Sequence, residues 1–150
     1  DEVTDQIAAE YPNVTVTRYH IDAMCARMVM APETLDVVVA SNLFGDILTD
    51  LGAAIQGGLG FAASANIDPT RRNPSMFEPV HGSAPDIADK GIANPMAAFW
   101  SAAMMLDHLG QTAPAARIMA ALEAATARGI GTHPGRDTTD AITTAVIAQL

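Results

Sequence analysis

Residues 42–50 read NLFGDILTD, and they follow a short β-branched run, VVVA, at residues 37–40. That run is too short for a buried helix, so it predicts a strand that is buried on both faces. From Phe44 onward the apolar residues change to helical spacing, through Ile47, Leu48, Leu51 and Ile55. This step from strand to helix predicts an α/β unit, and α/β folds place their ligands at such joints.

Two carboxylates, Asp46 and Asp50, stand four residues apart on one side of this predicted helix. Like charges at this spacing repel by about 0.2–0.5 kcal/mol in an exposed helix, so something has to offset the repulsion. The helix dipole is the more general explanation, because it favours acidic side chains near an N-terminus. A hard divalent cation is the more specific one, because it prefers carboxylate oxygens. These residues alone leave both explanations open.

Composition narrows the class of protein. The chain has 150 residues, of which 49% are apolar, enough for the core of one domain or of parts of two. Its formal charge of −9 argues against nucleic acid as a partner, because phosphates would be repelled. Cys25 is the only cysteine, which excludes an internal disulfide and a cysteine-based zinc site. No apolar run has the length of a membrane span and no signal peptide is recognisable, so we expect a cytoplasmic protein without membrane attachment.

The order of the predicted elements indicates an α/β class. The chain lacks an initiating Met and opens with a helical stripe, so we expect it to be the C-terminal portion of a longer protein. Strands are predicted at residues 14–19, 37–40 and 61–67, and helices at residues 1–10, 23–30, 44–55, 94–109, 114–128 and from Thr138 or Thr139 onward. The glycines of residues 57–60 follow a helix and precede a strand, which is the reverse of a Rossmann fingerprint, so they predict a hinge or crossover, or a domain boundary, instead.

Three motifs together resemble the metal-dependent β-decarboxylating dehydrogenases, the family of isocitrate and isopropylmalate dehydrogenases. They are NLFGDILTD at residues 42–50, FEPVHGSAPDI at residues 77–87 and GIANP at residues 91–95. The resemblance implies that family's α/β fold, of which this chain would be the C-terminal portion. It also implies that residues 1–56 belong to a dimerisation and metal-binding domain, and residues 57–150 to a nucleotide-binding domain.

The resemblance implies a metal site for Mg²⁺ or Mn²⁺ at Asp46 and Asp50. In the family a third acid comes from the partner subunit of a homodimer, and Asp22, in the stretch HIDAM, is the candidate here. An alternative for Asp22, which is compatible with a metal role, is an N-cap on the following helix.

The resemblance also implies a site for NAD. The residues that match it are His81, Gly82, Ser83, Ala84, Asp86, Ile87 and Asn94, with Glu78 as a further member. Within it, His81 would lie against the adenine, Asp86 would accept hydrogen bonds from the ribose hydroxyls and Asn94 would contact the adenine. His20, His108 and His133 lack such a context and are interpreted as structural.

The family's catalytic lysine and tyrosine have no counterpart in this chain, since Lys90, Tyr11 and Tyr19 stand in other contexts. The resemblance therefore places the catalytic residues upstream and implies that this piece alone is inactive. The loop at residues 65–76 resembles the tartrate/D-malate branch of the family, which implies a small 2-hydroxy dicarboxylate as substrate. Two alternatives stay open: a 3-isopropylmalate dehydrogenase, and a non-catalytic fragment that only binds nucleotide or dimerises.

Overall fold

A computed structural model describes residues 2–133 and 135–150. The described part contains six α-helices and one antiparallel pair of strands. In chain order they are α1 (Glu2–Glu10), α2 (Ile21–Met30), α3 (Asn42–Ile55), β1 (Ala63–Asn66), β2 (Met76–Pro79), α4 (Met96–His108), α5 (Thr112–Ala127) and α6 (Thr139–Ile147). None of the helices described has both the length and the apolar character needed to cross a membrane.

The chain divides into two compact units, Asp1–Leu48 (unit 1) and Thr49–Leu150 (unit 2). The division falls within α3, eight residues before the domain boundary expected after residue 56. A grouping by spatial contact does not identify functional domains, so the assignment of residues 1–56 and 57–150 stays a prediction.

Unit 1 contains the predicted helices but not the predicted strands. Helices α1 and α2 form as expected, whereas residues 14–19 and 37–40 form no strand. Val37 and Val39 are 85% and 89% exposed, so the prediction of a strand buried on both faces is wrong. A strand requires a neighbour to pair with its backbone, and the only sheet among the described residues is β1–β2. Local composition cannot reveal whether such a neighbour is present.

Unit 2 has a core of its own. Strands β1 and β2 pair antiparallel with Ala63 opposite Pro79 and Asn66 opposite Met76. Helix α4 packs against this hairpin and against α5, which in turn packs against α6. The core cluster consists of apolar side chains from these three helices: Met96, Ala121, Leu122, Ala125, Ile142 and Val146. The predicted helices of this region are confirmed, while β2 was not predicted because its sequence is dense in turn-forming residues.

Three helix ends in unit 2 have a local cause, a capping hydroxyl at the start of α6 and a glycine after α4 and after α5. The Thr138 hydroxyl accepts a hydrogen bond from Ala141 N at 3.2 Å, which makes Thr138, rather than Thr139, the N-cap of α6. Helices α4 and α5 are followed closely by Gly110 and Gly129, both with positive φ, as predicted.

The connection between β1 and β2 is a turn organised by Asp68. Its carboxylate accepts hydrogen bonds from the backbone and hydroxyl of Thr70, at 2.8 and 2.7 Å, and from the backbone and side-chain amides of Asn73, at 2.9 and 3.1 Å. These bonds, with the Thr70 hydroxyl first, lower the pKa of Asp68 from 3.8 to about 2. Arg71 donates to His108 O at 2.7 Å and thereby ties the turn to the end of α4.

The Asp68 turn predicts a specific pH dependence. Because the pKa of Asp68 is lower in the folded protein, its contribution to stability is fully present above pH 3.8 and is lost as the pH falls towards 2. Thr70→Val removes the hydroxyl donor and should raise the pKa of Asp68 towards 3.8, whereas Thr70→Ser should keep it low. NMR titration of the Asp68 carboxyl carbon measures both values. Equal pKa values in Thr70→Val and wild type would contradict this description of the turn.

Candidate functional site

Unit 2 contains a cleft of about 680 Å³ that is lined almost entirely by loops. We name it the loop cleft. It is lined by residues 57–60, 81–84, 87–89 and 91–94, together with Gly131, His133, Gly135 and Asp137 and with Ile142 of α6. The lining residues thus come from three regions of unit 2 that are separated in sequence, around residues 57–60, 81–94 and 131–142.

Six of the eight residues predicted to bind the cofactor line the loop cleft: His81, Gly82, Ser83, Ala84, Ile87 and Asn94. The other two do not line it. Asp86 is exposed in the 3-10 turn Pro85–Ile87, and Glu78 is exposed on β2. The roles of all eight residues toward a cofactor stay predictions.

The loop after β2 has the local geometry of a phosphate-binding segment. Among the described residues, the backbone amides of Gly82 and Ser83 have no hydrogen-bond partner. Ala84 then adopts a left-handed conformation, with φ 42°, and Ile87 N closes the following turn onto Ala84 O at 3.0 Å. Exposed and unpaired amides beside a left-handed residue form a concave donor surface that suits an anion.

The Asn94 side chain connects segments that line the loop cleft. Its Nδ2 donates to Gly131 O at 2.9 Å, and its Oδ1 accepts from Met96 N at 3.0 Å. The N-cap position of α4 is Pro95, so the helix begins at Met96, two residues after the start predicted at residue 94, and Asn94 binds the first N–H of α4 from outside the helix. With these two bonds made, the carboxamide keeps one N–H and one lone pair for a ligand.

Gly60 lies directly against Asn94. A Cβ on Gly60 would stand 2.7 Å from Asn94 Cβ and 3.0 Å from its Nδ2, so this close approach requires glycine. A 3-10 turn, Leu59–Phe61, and then β1 come after Gly57 and Gly58, so no helix follows them and this glycine-rich stretch is not a Rossmann fingerprint. The position of residues 57–60 in the loop cleft was not predicted, and the only signal for it is the local density of glycine.

Sequence reasoning also missed the wall of the loop cleft that follows α5. Gly131, His133 and Asp137 line the cleft, although His133 was interpreted as structural and the other two were not singled out. His133 Nδ1 lies 2.9 Å from the Thr132 hydroxyl. No motif marks this stretch, so only the folded chain shows that it faces the His81 loop.

The acids predicted to bind metal lie on two helices. Asp46 and Asp50 are exposed on α3, one helical turn apart, and Asn42 Nδ2 lies 3.4 Å from Asp46 Oδ2. Their carboxylate oxygens fit the ligand preference of Mg²⁺ or Mn²⁺. No cluster of three His, Cys, Asp or Glu side chains that could hold a metal occurs among the described residues. A complete site at Asp46 and Asp50 would therefore need a ligand from elsewhere.

Asp22 lies in the first turn of α2, where its Oδ1 is 2.8 Å from Ala23 N. His20 occupies the N-cap position, so the alternative that Asp22 caps this helix is wrong. Asp22 lines a cleft of about 890 Å³ within unit 1, together with Asp36 and Arg27. The Arg27 guanidinium stacks over the Tyr19 ring, 5.3 Å from its centroid.

Comparison with known proteins identifies the relatives of this chain. Residues 1–149 match the model of the isocitrate/isopropylmalate dehydrogenase family. The chain is 53% identical, over 97% of its length, to a probable tartrate dehydrogenase/decarboxylase of Agrobacterium vitis, of which it covers 42%. It is 57% identical, over 97% of its length, to the 3-isopropylmalate dehydrogenase of Corynebacterium efficiens, of which it covers 41%. The chain thus spans about two fifths of the length of these relatives.

A solved structure shares the fold. The chain superposes on isocitrate dehydrogenase from Methylococcus capsulatus with a TM-score of 0.90 and 43% sequence identity, over 99% of this chain and 44% of that one. This likeness and the family match confirm the predicted α/β fold of the isocitrate/isopropylmalate dehydrogenase type.

The contact between Gly60 and Asn94 generates a stability prediction. Gly60→Ala forces a methyl group into Asn94 and should lower the free energy of unfolding by about 1–3 kcal/mol, the usual cost of overpacking. Gly45→Ala is the control, because a Cβ there meets nothing within 4 Å and α3 should gain about 0.5–1 kcal/mol from alanine. Denaturant unfolding measures both changes. A Gly60→Ala protein as stable as wild type would contradict the close approach.

Proposed function

The chain belongs to the isocitrate/isopropylmalate dehydrogenase family, and we propose that it supplies the NAD-binding and metal-binding residues of an oxidative decarboxylase for a 2-hydroxy dicarboxylic acid. The observation that carries the proposal is the loop cleft. Six of the eight residues predicted from the His81 and Asn94 motifs line this one cavity, and its volume of about 680 Å³ lies within the range of small-molecule and cofactor sites.

The loop cleft suits the adenosine end of a dinucleotide. The unpaired amides of Gly82 and Ser83 can donate to phosphate oxygens, and the remaining N–H and lone pair of Asn94 can pair with an adenine edge. Asp86 adjoins Ile87, which lines the cleft, so its carboxylate can accept hydrogen bonds from ribose hydroxyls. NAD held by these residues would supply the hydride acceptor for oxidation of the substrate.

The role of Asp46 and Asp50 is to hold a divalent cation. Their two negative charges on one face of α3 attract the cation, and its binding would relieve the repulsion between them. A bound Mg²⁺ or Mn²⁺ supplies Lewis acidity toward the hydroxyl and the carboxylate of the substrate. We further propose that the protein is a homodimer in which Asp22 of each chain completes the metal site of the other.

The substrate proposed is tartrate or D-malate. Relatives named as probable tartrate dehydrogenase/decarboxylase support this choice, at 53% identity in Agrobacterium vitis and 51% in Bacillus subtilis. 3-Isopropylmalate is the second candidate, because the enzyme of that name in Corynebacterium efficiens is 57% identical over 97% of the chain. An assay of the complete protein with all three acids distinguishes the candidates.

The chain has no evident general base for this reaction. Its single lysine, Lys90, is exposed next to the loop cleft, and its backbone N closes a turn onto Ile87 O at 3.2 Å. We therefore propose that the proton acceptor lies outside these 150 residues and that the chain alone does not turn over substrate. The third possibility is a non-catalytic module that binds nucleotide without catalysing oxidation. The assay of the complete protein would identify it, because none of the three acids would then be oxidised.

The role proposed for Asp86 predicts a preference for NAD over NADP. A carboxylate that faces the ribose hydroxyls would repel a 2′-phosphate, so kcat/KM of the complete protein should be higher with NAD. Asp86→Asn should narrow that difference. Asp89→Asn removes the same charge from a neighbouring residue that lines the cleft, and it should leave the ratio of the two kcat/KM values unchanged. Equal kcat/KM with both cofactors in the wild-type protein would contradict the role given to Asp86.

The metal site predicts a selective loss of cation affinity. Asp46→Asn keeps the shape of the side chain but removes one charge, so the affinity of the complete protein for Mn²⁺ should fall by about 100-fold or more, since loss of outer-sphere partners alone costs 10–100-fold. Glu33→Gln, which removes an exposed acid from the short turn after α2, is the matched control. If Mn²⁺ titration gave the same affinity for Asp46→Asn and wild type, Asp46 would not be a cation ligand; the helix dipole would not explain it either, because α3 begins at Asn42 and Asp46 lies beyond its first turn.

A further inference from the structure

Asp137 and Thr139, the latter being the first residue of α6, make three hydrogen bonds to walls of the loop cleft. Asp137 Oδ2 accepts from Gly131 N at 2.9 Å. Thr139 N donates to Gly91 O at 2.8 Å, and the Thr139 hydroxyl donates to Ala93 O at 2.6 Å. Gly91, Ala93 and Gly131 all line the cleft. We name the pair Asp137 and Thr139 the α6 clasp.

The clasp completes a chain of bonds around Gly131. The carboxylate of Asp137 holds the N–H of Gly131, while Asn94 Nδ2 holds its carbonyl oxygen at 2.9 Å. Gly131 is buried with φ +70°, and a Cβ there would lie 3.2 Å from Met96 Cε, so this peptide has little room to move. The orientation of Asn94 toward the cleft therefore depends on Asp137 through Gly131.

The clasp is itself anchored in the core. Helix α6 begins at Thr139, and its Ile142 and Val146 belong to the buried cluster of unit 2. Ile142 also lines the loop cleft. Bonds from such a base hold the two loop walls in place before any ligand arrives, and pre-ordered walls lower the entropic cost of binding.

We propose that Asp137 and Thr139 are positioning residues for the nucleotide, which hold Asn94 and the wall at residues 91–93 in the conformation that binds it. This inference rests on the proposed NAD site. It goes beyond that site because neither residue needs to touch the cofactor to act.

A simple electrostatic role for Asp137 makes the opposite prediction. Asp137 lines the cleft as a carboxylate, so removal of its charge should strengthen the binding of a cofactor that carries two phosphates. In the positioning role, Asp137→Ala weakens binding because the Gly131 N–H loses its acceptor. Asp137→Asn keeps an acceptor oxygen and should restore most of the affinity.

The test uses the complete protein with matched variants. Thr139→Val removes the hydroxyl that holds Ala93 O, and Thr139→Ser keeps it. Thr138→Ala is the control, because the Thr138 hydroxyl caps α6 and makes no bond to the cleft walls among the described residues. We expect Asp137→Ala and Thr139→Val to raise KM for NAD about five- to tenfold, with kcat at saturating NAD changed less than about twofold. Thr138→Ala should lower Tm and leave KM for NAD unchanged.

Hydrogen exchange without nucleotide provides a readout that does not depend on activity. Amides of residues 87–94 and of Gly131 should exchange faster in Asp137→Ala and Thr139→Val than in Thr138→Ala. An unchanged or lowered KM in Asp137→Ala, or a KM raised equally by Thr138→Ala, would overturn the positioning role. If the wild-type protein did not use NAD, the proposed function would fail, but the hydrogen-exchange experiment would still test the clasp. Equal exchange rates in all the variants would overturn the clasp.

Discussion

The carboxamide of Asn94 is the constraint on which the loop cleft depends. One side chain accepts from Met96 N, at the first residue of α4, and donates to Gly131 O, so a single rotamer links the start of a core helix to a distant loop. The Asn94 side chain also leaves no room for a Cβ on Gly60, which would lie 2.7 Å from Asn94 Cβ. Three walls of the cleft thus meet at one polar group, and a half-buried polar group is stable only while its hydrogen bonds are made.

This arrangement divides the work between a rigid core and adaptable loops. Helices α4, α5 and α6 bury the apolar cluster of unit 2, whereas the residues proposed to contact nucleotide lie on the connections between elements. Loops carry binding groups because their backbone N–H groups are not used in regular structure, and a packed scaffold keeps them in place. Gly82 and Ser83 have backbone N–H groups that are not used in regular structure, and the bond from Asn94 to Gly131 O keeps two loops in place.

The sequence was most informative where the cause of a structure is local. Helical periodicity located the helices, and Thr138 marked the start of α6 because its hydroxyl acts within three residues of its own position. It misled where the cause is distant: residues 37–40 have strand composition, yet no partner strand is present among the described residues. The family motifs identified His81 to Ile87 and Asn94, whereas Gly60, Gly131 and Asp137 belong to the cleft only through tertiary contacts that no spacing reveals.

The most direct test of this account is NAD titration of the complete protein with Asn94→Asp. The substitution keeps an acceptor for Met96 N but replaces the donor that faces Gly131 O with a carboxylate oxygen, so the two oxygens repel. Mn²⁺ affinity, measured on the same samples, reports on the acids of α3 and controls for general unfolding. The account predicts a loss of NAD affinity of about tenfold or more, with Mn²⁺ affinity unchanged. Wild-type NAD affinity in Asn94→Asp would contradict it.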